Sequence, residues 1–150
     1  MSLREVLARL PGFSRLEAAD LDALDAAFVR REVPAGQVIV RAGAHDHSAH
    51  LLLTGEVGVF GRHGDQEVEL DRLGPGTLFG LVPLVDDAPR TSTCRALVPS
   101  RIASLDRGAA TLLSHQTAPI ALAFQRALGG ELAREFRRLD ARARGLVGAG

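Results

Sequence analysis

Between Phe79 and Thr93 the chain reads FGLVPLVDDAPRTST. Phe79-Gly80 marks a turn into a short apolar run, Arg90 follows Pro89, and Thr91 and Ser92 place hydroxyl groups directly behind it. These residue types suit an anion. A guanidinium presents planar paired donors that match two oxygens of a phosphate or carboxylate, and hydroxyls add further donors. Taken alone, Arg90 reads as an ordinary surface ion pair of little energetic weight. Asp86 and Asp87, just upstream, are its expected partners.

A second cluster, AHDHSAH, holds His45, His47 and His50. A His-x-His pair among strands is what a cupin-like metal enzyme would use, together with a glutamate and a later histidine. Glu56 lies nine residues past His47, which is the wrong spacing, and the ligand count falls short. His45 and His47 are therefore read as solvated turn residues, with the metal enzyme kept as a minor alternative. Ser92, Ser114 and Cys94 have no histidine and acid spaced as a nucleophilic set, so no catalysis is expected. Cys94 is the single cysteine and reads as a small core residue.

Elements that could position these groups follow from periodicity. Leu3, Val6, Leu7 and Leu10 share one helix face, ended by Pro11-Gly12. Ser14 with Glu17 predicts a capping box for a second helix carrying Leu16, Leu21, Leu24 and Phe28. From Val29 the period changes to short β-branched or alternating runs, VRREV, QVIVR, HLLLT, EVGVF, EVELDRL, TCRAL and RIASL, separated by glycine-bearing turns. That pattern predicts a β-sandwich or barrel. Asp106 is placed to cap a short helix running to His115. A long helix starts near Pro119, striped by Ile120, Phe124, Leu128, Leu132, Phe136 and Leu139. Gly129-Gly130 is a place where it could bend, and the tail GLVGAG is expected to fray.

Composition narrows the classes. A length of 150 residues fits one domain spanning 1–150, and 46% hydrophobic content supports a real core. Net charge is zero, so bulk attraction to nucleic acid or an anionic membrane is not expected. All 18 basic residues are arginine, read as codon bias of a GC-rich bacterial genome. The start MSLREVLARL does not fit a signal peptide, and no apolar run approaches the ~20 residues of a membrane helix, so a cytoplasmic location is expected.

The order of elements, with FSRLEAADLDAL, VPAGQVIVRAGAHDHSAHLLLTGEVGVF, LDRLGPGTLFG, PRTSTCRAL and SRIASLDRGAATLLSHQTAPIALAFQRAL, resembles the cyclic-nucleotide-binding domain of catabolite-activator-type regulators, kinase regulatory subunits and gated channels. The resemblance covers roughly residues 10 to 140. It implies a mainly β double-stranded β-helix, or jelly-roll, of about eight strands. The roll would span about 29–106, preceded by N-terminal helices and followed by C-terminal helices over about 107–144.

It also implies a phosphate-binding cassette in which Gly80, Leu81, Val82, Arg90 and Thr91 meet a cyclic phosphate, with Phe79, Pro83 and Ser92 as pocket wall. The implied ligand is cyclic AMP or cyclic GMP, and no other cofactor. Two positions depart from the family pattern. Leu81 stands where a glutamate accepts from the ribose hydroxyl, leaving that hydroxyl unpaired at about 1–3 kcal/mol. Pro83 stands where a small residue offers its N–H, and proline has none. Two readings stay open: a regulatory sensor binding an anionic nucleotide, or a ligand-independent interaction module with a vestigial pocket.

The resemblance further implies that ligand draws the last helix onto the roll, making that helix the output surface. Its apolar stripe suggests a homodimer or partner helix. Its arginine-rich face, interleaved with Glu131, Glu135 and Asp140, is read as solvated and ion-paired. With the chain ending at Gly150, no helix-turn-helix and no DNA contact are expected.

Overall fold

A computed structural model describes residues 2–84 and 86–148. Two helices, α1 (Leu3–Arg9) and α2 (Ala18–Ala27), precede strands β1 (Val29–Val33), β2 (Val38–Val40), β3 (Ser48–Thr54), β4 (Val57–His63), β5 (Gln66–Leu73) and β6 (Leu78–Phe79). A 3-10 turn over Val82–Leu84 leads on to β7 (Thr93–Ala96) and β8 (Ser100–Asp106). Helices α3 (Arg107–Gln116) and α4 (Ala118–Gly148) follow. The eight strands form two four-stranded antiparallel sheets, ordered β1-β8-β3-β6 and β2-β7-β4-β5. This is the jelly-roll the sequence predicts, with β6 as the strand its pattern did not resolve.

Two apolar clusters fill the molecule. Between the sheets lie Val33, Val40, Leu52, Val57, Val59, Leu73, Phe79, Cys94, Ala96 and Ile102. The helices pack on the outer face of the first sheet through Leu3, Leu7, Phe13, Leu24, Leu51, Leu53, Leu81, Leu105 and Ile120, among others. Strand β3 contributes to both clusters. That explains its unbroken apolar run HLLL: each successive side chain faces a different core.

Several local expectations shift. Helix α2 begins at Ala18, and its N-cap residue Glu17 makes no side-chain capping bond. The capping box lies instead on α1, where Ser2 and Glu5 exchange backbone and side-chain bonds of 3.2 Å. Residues 11–15 form turns that bury Phe13, so Ser14 is not at a helix start. Asp106 caps α3 as expected, accepting from the Ala109 amide at 2.9 Å.

Helix α4 continues through Gly129-Gly130 and past residue 144 to Gly148, so the expected fraying from Gly145 gives way to helix. Ala149 and Gly150 lie outside the described residues. Among the described residues no helix is long and apolar enough to cross a membrane.

The β3–β4 turn depends on Gly55. Its φ is +103°, and a Cβ there would lie 2.1 Å from Ser100 Oγ and 2.8 Å from Ser100 Cα. Ser100 is itself fixed, since its hydroxyl accepts from the Glu56 amide and donates to the Val98 carbonyl. Gly55→Ala should therefore cost roughly 3 kcal/mol or more through backbone strain and overlap. Urea denaturation of the variant against the unmodified protein measures that loss.

Candidate ligand pocket

Arg90 anchors a concavity between the roll and α4. Its residue exposure is only 7%, so its charge must be met by protein. Asp46 does this with both carboxylate oxygens, at 2.5 Å from Nη2 and 3.3 Å from Nε. Nη1 donates to the Gly80 carbonyl at 2.9 Å, and Nη2 also donates to the Ser48 carbonyl. Among the described residues these contacts engage four of the five guanidinium N–H donors. The expected pairing with Asp86 or Asp87 does not form. Asp87 pairs with Arg107 at 2.6 Å, and Asp86 accepts from the Ala88 amide at 3.0 Å. Both aspartates are exposed, while Arg90 is buried.

The close approach of Arg90 requires glycine at position 80. With φ at +75°, a Cβ on Gly80 would sit 2.8 Å from Arg90 Nη1. The Gly80 peptide thus faces Arg90 through its carbonyl. Its own amide and that of Leu81 donate elsewhere, to the two carboxylate oxygens of Glu131, each at 2.7 Å. Glu131 is on α4. One and two turns further along the same helix, Glu135 accepts from the Thr91 hydroxyl at 3.1 Å and Arg138 pairs with Asp71 at 3.0 Å. The spacing of 131, 135 and 138 puts these three on one helix face.

The enclosed space is about 170 Å³, lined among others by Phe79, Gly80, Val82, Pro83, Arg90, Thr91, Ser92 and Glu131. Seven of the eight residues named from the sequence therefore share one concavity. Leu81 is the exception: its side chain is buried in the helix-facing core, and only its amide is directed toward the pocket side. With its side chain in that core, Leu81 gives a ligand neither an acceptor nor a wall contact. Asp46, Glu131, Glu135 and Arg138 were missed. The face of α4 read as solvated is partly buried at Glu131, Arg134, Glu135 and Arg138. Their i, i+3, i+4, i+7 spacing was the available signal.

Burial raises the Glu131 carboxyl above its ordinary value, against the lowering effect of the two amides and the nearby arginines. For Asp46, burial pushes upward but is outweighed by the hydrogen bond and charge of Arg90, leaving it lowered. Burial pushes the Cys94 thiol up to about 12, as fits a core residue.

The histidine cluster disperses. His45 is exposed, His47 Nδ1 lies 3.2 Å from the Pro83 carbonyl, and His50 Nδ1 lies 2.8 Å from Ser104 Oγ. Among the described residues no group of three or more His, Cys, Asp or Glu is set to hold a metal ion.

With this geometry in place, the kinship of the chain can be stated. It is a β-roll module of the regulatory nucleotide-binding class. The chain belongs to the cyclic nucleotide-binding domain family, whose model matches residues 30–115. It is 34% identical over 98 residues to the cyclic AMP receptor protein of Thermus thermophilus, covering 65% of this chain and 45% of that one. It is 29% identical over 106 residues to a CRP-like cAMP-activated global transcriptional regulator of Mycobacterium tuberculosis, covering 70% and 47%. The crystal structure of the Thermus thermophilus catabolite activator protein superposes with a TM-score of 0.75 at 32% identity, over 91% of this chain and 63% of that chain. The chain spans about half the length of the two regulators.

His50, packed on Phe79 with ring centroids 5.5 Å apart, tests the burial of this region. Burial, then the charges of Arg90 and Arg31, lower it from 6.5 to about 4, against a raising influence of Asp46. The fold thus favours neutral imidazole, while the unfolded chain takes up a proton near its ordinary value. The stability that His50 contributes is complete above about pH 6.5 and is lost as pH falls toward 4, on the order of 3 kcal/mol in all. Denaturation midpoints from pH 7 to 4.5 should fall less steeply for His50→Gln, and the His50 imidazole should titrate near 4 by NMR.

Proposed function

We propose that this domain is a non-enzymatic, cytoplasmic regulatory sensor that binds a cyclic nucleotide, cyclic AMP or cyclic GMP, and signals through α4 by protein contact. The observation that carries this reading is the buried Arg90 at the base of a concavity, with the Gly80 and Leu81 amides and the Thr91 hydroxyl beside it. A guanidinium held by Asp46 and two carbonyls is preorganised, so little order is lost when an anion meets its remaining donor. The names of the two relatives, a cyclic AMP receptor and a cAMP-activated regulator, support the same ligand class. Phe79, Pro83 and Ser92 would form the wall around the sugar and base, with Val82 on the phosphate side.

A second reading is favoured by a specific observation. Glu131 already occupies the two amides, and 170 Å³ is below the roughly 300–1,000 Å³ of small-molecule sites. On that reading the pocket is filled from within, and the domain works by contact without ligand. Calorimetric titration with cyclic AMP and cyclic GMP separates the two. The sensor reading expects micromolar binding that is lost in Arg90→Ala, with a thermal melt confirming that the variant folds. Silence at millimolar nucleotide removes it and leaves the contact module.

The partner reading rests on how α4 divides its apolar stripe. Ile120, Phe124 and Leu128 pack on the helix-facing core, whereas Leu132, Phe136 and Leu139 are exposed at 46%, 70% and 58%. A second copy of the chain, laid along this half of the helix, would bury them symmetrically. Light scattering should give the mass of two chains, and Phe136→Glu should reduce it to one. A single-chain mass for the unmodified protein at high concentration counts against the dimer.

A further inference from the structure

We propose that Glu131 is a tethered occupant of the pocket, which a ligand must displace, so that binding releases the distal half of α4 from the roll. The inference rests on the sensor reading above for its ligand, but the latch itself is a property of the chain alone. Three contacts tie α4 down, and each joins a residue of one helix face to the roll. Glu131 takes the Gly80 and Leu81 amides, Glu135 takes the Thr91 hydroxyl, and Arg138 holds Asp71.

Two of these three latch points sit on groups that an incoming anion would use. Both Glu131 oxygens are engaged at 2.7 Å, so no second anion can share those amides without moving the carboxylate. Charge points the same way. The pocket wall carries Asp86, Glu131 and Glu135 against Arg90, Arg134 and Arg138, and Arg90 is already neutralised by Asp46. A phosphate entering beside Glu131 would meet a like charge at close range, with little water to screen it. Space gives a third argument, since the present volume requires the α4 wall to withdraw before a nucleotide fits. The family resemblance leads one to expect ligand to draw the last helix onto the roll. Here the helix already lies there, held by its own carboxylates, and ligand acts in the opposite sense.

Glutamine at 131 keeps the size but replaces one accepting oxygen with a donor that opposes an amide N–H. NMR hydrogen exchange on the unliganded protein reads the latch directly. In Glu131→Gln, protection of the Gly80 and Leu81 amides and of the α4 backbone from 131 to 138 should fall about tenfold, the worth of a charge-assisted bond. Glu131→Asp, one methylene shorter, should show an intermediate loss. Unchanged protection overturns the latch, whatever nucleotide does.

Titration of the same variant with cyclic AMP should give affinity about tenfold tighter than the unmodified protein. Equal or weaker affinity in the variant overturns the competition. Loss of protection with no nucleotide bound by either protein keeps the latch and sinks the sensor reading, so the two failures are distinct. Should Glu131→Gln fail to fold, the unmodified protein still decides: saturating nucleotide should speed exchange over 131–138, and slowed exchange there overturns the proposal.

Discussion

A buried guanidinium with one carboxylate partner organises this molecule. Removing Arg90 from water would cost several kcal/mol if its charge were unmet. The fold meets it with Asp46 from the β2–β3 loop, the Ser48 carbonyl at the start of β3 and the Gly80 carbonyl after β6. The 46–48 stretch, Gly80 and the Arg90 loop are thereby drawn to one point. Backbone bonds reinforce the arrangement, since the Arg90 amide donates to the Ala44 carbonyl at 2.9 Å and the Gly43 amide to the Arg90 carbonyl at 2.8 Å. Gly80 must lack a side chain for the same reason, because Arg90 Nη1 occupies the space a Cβ would need.

From that hub the peptide at 80 is oriented as a whole. Its carbonyl turns toward the guanidinium, so the amides of 80 and 81 are left facing α4, where Glu131 satisfies them. Backbone donors withdrawn from water need partners. The position of α4 is therefore coupled to the loop by hydrogen bonding as much as by apolar packing. Its proximal half is fixed by Ile120 and Ala123 in the core, and Phe124 meets Phe13 edge-on at 5.7 Å. Its distal half carries few apolar contacts with the roll and relies on polar ones, which places it among the parts of the fold that a ligand can most easily move.

Much of the architecture was legible along the chain. Strand β1 falls where VRREV predicts it, and α3 starts where Asp106 predicts it. Phe79, Gly80, Val82, Pro83, Arg90, Thr91 and Ser92 line one concavity. What failed was local in kind but decided at a distance. Ser14 has the right neighbour for a capping box, yet burial of Phe13 claims that segment for turns. Leu81 looks like a pocket residue by position, but a short turn following Gly80 rotates it into the helix-facing core.

The sequence by itself determined the roll, the turn glycines, the amphipathic helices and the place of the arginine loop. The turns and the helices are set by side-chain period and backbone permissiveness within a few residues, and the roll and the arginine loop are legible through the family resemblance. Only the tertiary structure decided which carboxylate meets Arg90 and which one rests on the Gly80 amide. Those partners lie 44 and 51 residues away along the chain. Asp86 and Asp87, nearer in sequence, are taken by the Ala88 amide and Arg107, while the fold brings Asp46 to Arg90 and Glu131 to Gly80. Separation in sequence places no limit on such a pairing once the core has fixed where each element lies.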